Sequence, residues 1–281
     1  MNRAPLIVII TVAVLAAGAF FWWRHEQPVP TIATPSSSPA TPPPPPIVAP
    51  TPAATKPAIR YPVPAAPPPR PALPSLDQAD AYVEKALIDL LGRKSVQSFL
   101  RLDEFARNFV ATVNNLATDN AAAQLWPVKQ ASGHFDSESR NGATVISAKN
   151  AARYAAFIRF ADSVDTRRAI ALYLRLYPLF QRAYEELGYP GQYFNDRVVE
   201  VIDNLLATPN VAEPIKVKRI TVDGSAPSAA AGLYVFEDPS LEASTAGQKI
   251  LLRMGRENRA KLMAKLTSIR QAIVNSGLPS R

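Results

Sequence analysis

Cysteine is absent from the 281-residue chain, and histidine occurs only twice, at His25 and His134. Without thiols the chain can form no disulfide, thiolate metal site or cysteine nucleophile. Neither histidine has a second histidine nearby, and no HExxH pattern is present, so no zinc site is predicted. The Gly-x-Ser-x-Gly, P-loop and GxGxxG patterns are also missing. We therefore expect no metal, no cofactor, no catalytic residues and no enzymatic activity.

Positive charge exceeds negative charge only mildly. The net charge is +8, of which residues 1–74 and 75–281 each carry +4. A nucleic-acid-binding domain usually concentrates more positive charge on one face, together with aromatic stacking residues. We therefore expect no nucleic-acid partner.

Large apolar residues are scarce in the segment 24–74, which instead holds 19 of the 28 prolines. Proline lacks a backbone donor and fixes φ, so neither a helix nor a sheet is expected there. With little apolar surface to bury, the segment cannot offset the entropy lost on folding. We predict a disordered Pro-rich linker that acts as a spacer. The alternative is a ligand for a proline-recognition groove, with the sequence PPPRP at 67–71 as the candidate.

Residues 4–23 form an uncharged, apolar run that ends in Trp22 and Trp23 and is followed by Arg24. As a helix this run spans about 30 Å, the thickness of the hydrocarbon core of a bilayer. We predict that residues 1–23 form a single transmembrane anchor that contacts the lipid bilayer through residues 4–23. The alternative is a signal peptide cleaved after Ala19. Both interpretations export the rest of the chain, and Arg3 favours a cytoplasmic N-terminus.

Residues 75–281 have the composition of a globular domain. The predicted central helix of this domain begins at Asp165 or Thr166. The aromatic residues on the apolar face of this helix follow one another at spacings of four, three and four residues. That face comprises Tyr173, Tyr177, Phe180 and Tyr184, with Leu172, Leu176, Leu179 and Leu187 on a neighbouring stripe. These tyrosines favour core packing, although they would also suit the wall of a sugar-binding groove.

Further helices are predicted from their capping residues. Ser75 and Gln78 form a possible capping box, Asp103 is placed to cap a second helix, and Asn195 or Asp196 is placed to begin another. The dipeptide Asn141-Gly142 favours a β-hairpin, and residues 215–222 and 233–236 favour two more strands. The predicted fold is α+β and mainly α: a helical domain with one or two small β-hairpins, preceded by the transmembrane helix and the disordered linker.

The last predicted segment, residues 246–275, is amphipathic and basic, with a division at Gly255. A charged helix face is most often solvated, and the alternative is contact with acidic lipid or an anionic wall polymer. Its cations are Lys249, Arg253, Arg256, Arg259, Lys261, Lys265 and Arg270, against Glu257 alone.

Carboxylates are the remaining candidates for chemistry. Asp196, Glu200 and Asp203 recur at spacings of four and three, with Glu185 and Glu186 shortly before them. Two carboxylates in one cleft can perform acid–base work on a glycan. The alternative is a polar helix face that pairs with arginines such as Arg182 and Arg197.

Several strings of this domain resemble a bacterial family known as domain of unknown function 3014. They are LYLRLYPLFQRAYEELGYP, FNDRVVEVIDNLLATP, LYVFEDPSLEASTAGQKILLRMG and ENRAKLMAKL, and FVATVNNLA also fits. The resemblance covers about residues 76–276. Arg256 departs from it, because a proline is expected after the Met-Gly pair. The resemblance implies a bacterial envelope protein and carries no established activity or site.

Together these features predict an uncharacterised single-pass protein of the bacterial inner membrane. Its N-terminus is expected in the cytoplasm and its C-terminal domain, residues 75–281, in the periplasm, where it binds an envelope protein or a cell-wall component. The alternative functions are an envelope hydrolase that acts on glycan or peptide with the carboxylates from Glu185 to Asp203, and a binder of anionic surfaces.

Overall fold

The computed structural model describes residues 58–64, 72–220 and 233–277. The predictions for the anchor in residues 1–23 and for most of the linker lie outside these ranges. Among the described residues, no helix combines the length and apolar character that crossing a membrane requires.

The described residues form nine α-helices and four short strands, so the predicted mainly helical α+β fold is confirmed for them. Single 3₁₀ turns occur at Leu76–Gln78 and Ala123–Leu125. The helices are α1 Asp80–Leu91, α2 Arg93–Phe99, α3 Phe105–Leu116, α4 Lys149–Ser163, α5 Thr166–Glu186, α6 Phe194–Leu206, α7 Pro239–Glu242, α8 Ala246–Arg253 and α9 Arg256–Ser276. The strands are β1 Ser137–Arg140, β2 Ala143–Ile146, β3 Val217–Ile220 and β4 Leu233–Phe236.

Helix α5 is the centre of the main core, as its sequence predicts. Helices α1, α3, α6 and α9 pack around it. Phe180 is fully buried, with its ring centroid 4.8 Å from that of Phe109 and 6.2 Å from that of Phe194. The helix continues through Pro178 without a break in its assignment. Leu187, which was predicted on the buried stripe, is instead exposed because α5 ends at Glu186.

The strands form two antiparallel pairs, which confirms both hairpin predictions. Asn141 and Gly142 both have positive φ, the conformation that a tight turn between β1 and β2 requires. A bridge between Val145 and Lys216 joins the two pairs, and the Ile146 amide donates to the Ile215 carbonyl at 2.9 Å. A small second core fills the space behind them and comprises Ile215, Val217, Phe236, Leu241 and Leu252.

Helix starts show where local capping patterns succeed and fail. Asp165 accepts from the amide of Arg168 and so caps α5 as predicted. The predicted cap at Asp103 is wrong: Asp80 on α1 instead accepts from the amides of Glu104 and Phe105, at 2.9 and 3.3 Å. Ser75 makes no side-chain capping bond either. A carboxylate from another helix can satisfy the free amides at a helix start, and no local pattern reveals it.

Gly247 on α8 gives a direct test of this packing. A Cβ built there would overlap with Leu205 Cδ2 and would lie 2.9 Å from the Leu116 carbonyl oxygen. Helix propensity favours alanine over glycine by about 1 kcal/mol, whereas overpacking a core costs about 1–3 kcal/mol. Because one contact is with backbone, we expect Gly247→Ala to lower the free energy of unfolding by about 1 kcal/mol.

Urea unfolding of the full chain, followed by circular dichroism, measures this change. Ser268→Ala, at an exposed position of α9, is the control and should change stability by less than about 0.5 kcal/mol. A stabilised Gly247→Ala variant would show that α8 is free to move away from α3 and α6.

Candidate functional site

The carboxylates of the predicted hydrolase site each contact a different side chain of the domain. Glu185 accepts a bond from the amide nitrogen of Gln181 at 2.9 Å, and Glu186 pairs with Arg107 at 3.1 Å. On α6, Glu200 pairs with Arg197 at 3.0 Å, and Asp203 pairs with Arg270. None of these carboxylates lines any of the three cavities described below. These contacts agree with the interpretation of a paired polar face and give the hydrolase alternative no support.

Asp196 has a different role, because it holds the segment 58–64 against the domain. Its two carboxylate oxygens accept bonds from the backbone amides of Arg60 and Tyr61, at 2.9 and 2.8 Å. The neighbouring Asn195 donates from its side chain to the Tyr61 carbonyl at 2.7 Å. A Cβ at Gly277, at the end of α9, would overlap with the Pro62 carbonyl oxygen. We call residues 58–64 the docked segment; it falls within the range predicted as linker.

The three tyrosines of α5 are core residues. Tyr173 and Tyr184 are almost fully buried, and Tyr177 packs against the core from its edge. Burial raises the pKa of the Tyr173 phenol well above its usual value and raises the pKa of Tyr177 to about 12. The Tyr173 hydroxyl donates to the Asn195 side chain at 2.8 Å. The tyrosines therefore support the domain from inside and do not form a sugar-binding groove.

Most cations of the C-terminal segment face the domain itself. Lys249 pairs with Glu242 at 2.8 Å, and Lys265 donates to the Val164 carbonyl at 3.1 Å. Arg270 pairs with Asp203 of α6. The prediction of a mainly solvated basic face is therefore wrong. Few of these charges remain free to attract an anionic surface.

The largest of the three cavities opens beside the β1–β2 hairpin and has a volume of about 620 Å³. We call it the hairpin pocket. Its walls are the hairpin, the first turn of α4, the loop 213–215 and the junction of α8 with α9. Two smaller cavities, of about 320 and 410 Å³, lie between α4 and α9 and beside α7. The hairpin pocket lies within the usual size range of small-ligand sites.

The junction of α8 and α9 shapes one wall of the hairpin pocket. Gly255 separates the two helices with a φ of +84°, a conformation that glycine adopts without strain. A Cβ there would also lie only 3.1 Å from the Cβ of Ala151 on α4. The close approach of α4 and α9 is therefore tied to glycine at this position. The turn places Arg253 and Arg256 on the same pocket.

Arg253 is held rigidly at the pocket wall. Its guanidinium lies 5.0 Å from the centroid of the Phe236 ring, and one nitrogen, Nη2, donates to the Tyr234 carbonyl at 3.1 Å. Burial lowers the pKa of Arg253, an effect that outweighs the attraction of Glu242. Within the described part of the chain, its other guanidinium nitrogens have no hydrogen-bond partner.

A second arginine is buried behind the loop at Glu213. Arg259 is 4 % exposed, and its Nη1 and Nη2 atoms have no hydrogen-bond partner. Its nearest anion is Glu213, which lines the pocket and lies 3.8 Å away. Burial lowers the pKa of Arg259 despite this pairing. A buried guanidinium without hydrogen bonds is unfavourable for folding, which is typical of residues retained for function.

Sequence reasoning missed this pocket. Arg253, Arg256 and Arg259 were assigned to a charged helix face, and Glu138, Arg140 and Glu213 were not singled out. The one available signal was the set of arginines around Gly255, on a helix otherwise rich in apolar residues. Among the described residues, no group of three or more histidine or acidic side chains is suited to a metal ion.

No curated protein and no solved structure matches the chain. One family model does match, over residues 105–270. This range covers more than half of the sequence and reaches from α3 to α9, so it includes the hairpin pocket and the start of α6. The chain therefore belongs to the family described as "Protein of unknown function (DUF3014)", which confirms the resemblance seen in its sequence.

Proposed function

We propose that this protein is a single-pass protein of the bacterial inner membrane whose periplasmic domain binds a protein or cell-wall component through the hairpin pocket. The observation that carries the binding role is the pocket itself. It combines apolar side chains with charged ones, of which Glu138, Arg253 and Arg256 form no ion pair with another described residue. The domain is a binding module and not an enzyme.

The apolar run at residues 4–23 supports the membrane part of the proposal, and the Pro-rich segment after it supports a tethered domain. The docked segment, which falls within the predicted linker range, lies beside α6 and α9. A ligand bound in the hairpin pocket is thereby connected through the domain to the membrane.

Location is tested with two reporters fused after Arg281. Alkaline phosphatase becomes active only after export. Green fluorescent protein is fluorescent in the cytoplasm but not after export through the general secretory route. We expect high phosphatase activity, low fluorescence and recovery of both fusions with the inner membrane. Recovery of the exported fusion in the soluble fraction would indicate cleavage of residues 1–19 and contradict the predicted membrane anchor. Fluorescence without phosphatase activity would overturn the proposed location.

Binding through the pocket is tested by photocrosslinking in intact cells. A photoreactive amino acid replaces Ala260, an exposed residue of α9 that lines the pocket, or, as the matched control, Arg182 on the surface of α5. We expect a discrete adduct with an envelope protein or wall fragment from position 260 and none from position 182. Equal adducts from both positions would contradict a role for the pocket.

A further inference from the structure

The hairpin pocket presents groups of both charges. Arg253 and Arg256 come from the junction of α8 and α9, while Glu138 comes from β1 and Glu213 from the loop before β3. Within the described part of the chain, no ion pair joins any of these four side chains to another. Both signs are therefore available to a bound molecule.

Two of the three arginines that line the pocket, Arg253 and Arg256, come from the junction of α8 and α9 and form its positive side. Arg253 is fixed by its contact with Phe236 and its bond to Tyr234, which leaves guanidinium nitrogens for a ligand. Arg256 lies exposed at the rim and forms no ion pair with another described residue. A guanidinium binds a carboxylate with strong, directional hydrogen bonds, and a prearranged one loses little freedom on binding.

Three glutamates line the pocket; Glu257 pairs with Lys261, which leaves Glu213 and Glu138 for the negative side. The Glu213 carboxylate accepts no hydrogen bond from another described group, and Arg259 stands behind it at 3.8 Å. This guanidinium donates no hydrogen bond to Glu213, so the acceptor positions of the carboxylate stay available. Glu138 forms no ion pair with another described residue. The two carboxylates can therefore receive the donors of an ammonium group.

The pocket also has an apolar part. Ile146, Pro214 and Leu252 line it, together with small alanines. A ligand of one charge sign would place its charge near like-charged side chains in the same pocket, which is unfavourable. A ligand with both signs and a short aliphatic body avoids this repulsion.

We propose that the hairpin pocket binds a short peptide with a free carboxylate and a free amine. The carboxylate binds Arg253 and Arg256, the amine binds Glu213 and Glu138, and an aliphatic side chain rests on Ile146 and Leu252. This inference rests on the proposed function as a binding module and names its ligand class. Free peptides and the peptide stems of the cell wall share this chemistry.

Calorimetry with the purified full chain in detergent tests the ligand class. The probe is the synthetic tetrapeptide Ala-Glu-Lys-Ala with free termini, and the comparison peptide is Ala-Gln-Gln-Ala with an acetylated N-terminus and an amidated C-terminus. We expect the uncharged peptide to bind at least about tenfold more weakly. Equal binding of both peptides, or binding of neither, would overturn the proposal.

Variants at exposed positions locate the site without disturbing the core. Arg256→Gln and Glu138→Gln should each weaken binding of the charged peptide by about tenfold. Arg182→Gln, an exposed arginine on α5, is the matched control and should leave binding unchanged. Retention of full affinity by both pocket variants would place the peptide elsewhere and overturn the proposal.

The source of the peptide is resolved with fragments released from purified peptidoglycan. Tighter binding of these fragments than of the tetrapeptide supports a wall stem, and equal binding supports free peptides. If the domain is cytoplasmic but still binds the charged peptide, the proposed periplasmic function is refuted and the proposed class of ligand is supported. Specific crosslinking from position 260 without peptide binding would support the binding role and refute the ligand class.

Discussion

Replacing Asn195 with alanine is expected to lower the free energy of unfolding by about 3 kcal/mol. Asn195 is 1 % exposed and joins two parts of the chain. It accepts the hydroxyl bond of Tyr173 at 2.8 Å and donates to the carbonyl of Tyr61 at 2.7 Å. The substitution leaves the fully buried Tyr173 hydroxyl without its acceptor, and a stranded buried polar group costs more than the bond itself contributes.

Urea unfolding of the full chain measures the loss, and two further variants assign it. Asn275→Ala makes the same substitution at an exposed position of α9 and should change stability by less than about 0.5 kcal/mol. Tyr173→Phe removes the hydroxyl that would lose its acceptor. Asn195→Ala should therefore lower the free energy of unfolding by less in the Tyr173→Phe protein than in the original protein. A loss from Asn195→Ala that is the same with and without Tyr173→Phe would show that the hydroxyl bond is unimportant.

Asn195 also illustrates which parts of the fold the sequence predicts. The spacing of apolar residues located α3, α5, α6 and α9, because burial of one face is a local, periodic property. The same pattern could not locate the docked segment, which is more than 130 residues away from α6 along the chain. Asn195 and Asp196 were predicted to begin a helix, but they lie within α6 and bind the segment instead.

The hairpin pocket could not be predicted for a related reason. The Asn141-Gly142 turn and the division at Gly255 were both predicted, since each depends on the conformational freedom of glycine at a turn. Their meeting across α4 depends on long-range packing, including the bridge from Val145 to Lys216. From the sequence alone, the arginines beside Gly255 therefore indicate only a charged helix face. In the structure the hairpin lies beside them and completes the pocket.

Removing the Glu213 carboxylate should destabilise the protein because it leaves the buried Arg259 charge without its nearest anion. Breaking a fully buried pair costs about 3–5 kcal/mol. Glu213 is 34 % exposed and its oxygen lies 3.8 Å from Arg259, so solvent already screens the pair. We expect Glu213→Ala to lower the free energy of unfolding by about 2 kcal/mol, measured by urea unfolding of the full chain.

Arg259→Met supplies the decisive comparison. Methionine retains much of the side-chain length without the charge, and replacing a buried ionic group with an apolar one is often neutral or stabilising. We expect Arg259→Met alone to retain full stability and to recover most of the loss in the Glu213→Ala protein. If the double variant is as unstable as Glu213→Ala, the loss comes from the loop 213–215 and not from the stranded charge. Recovery would show that the loss comes from the buried Arg259 charge left without its nearest anion.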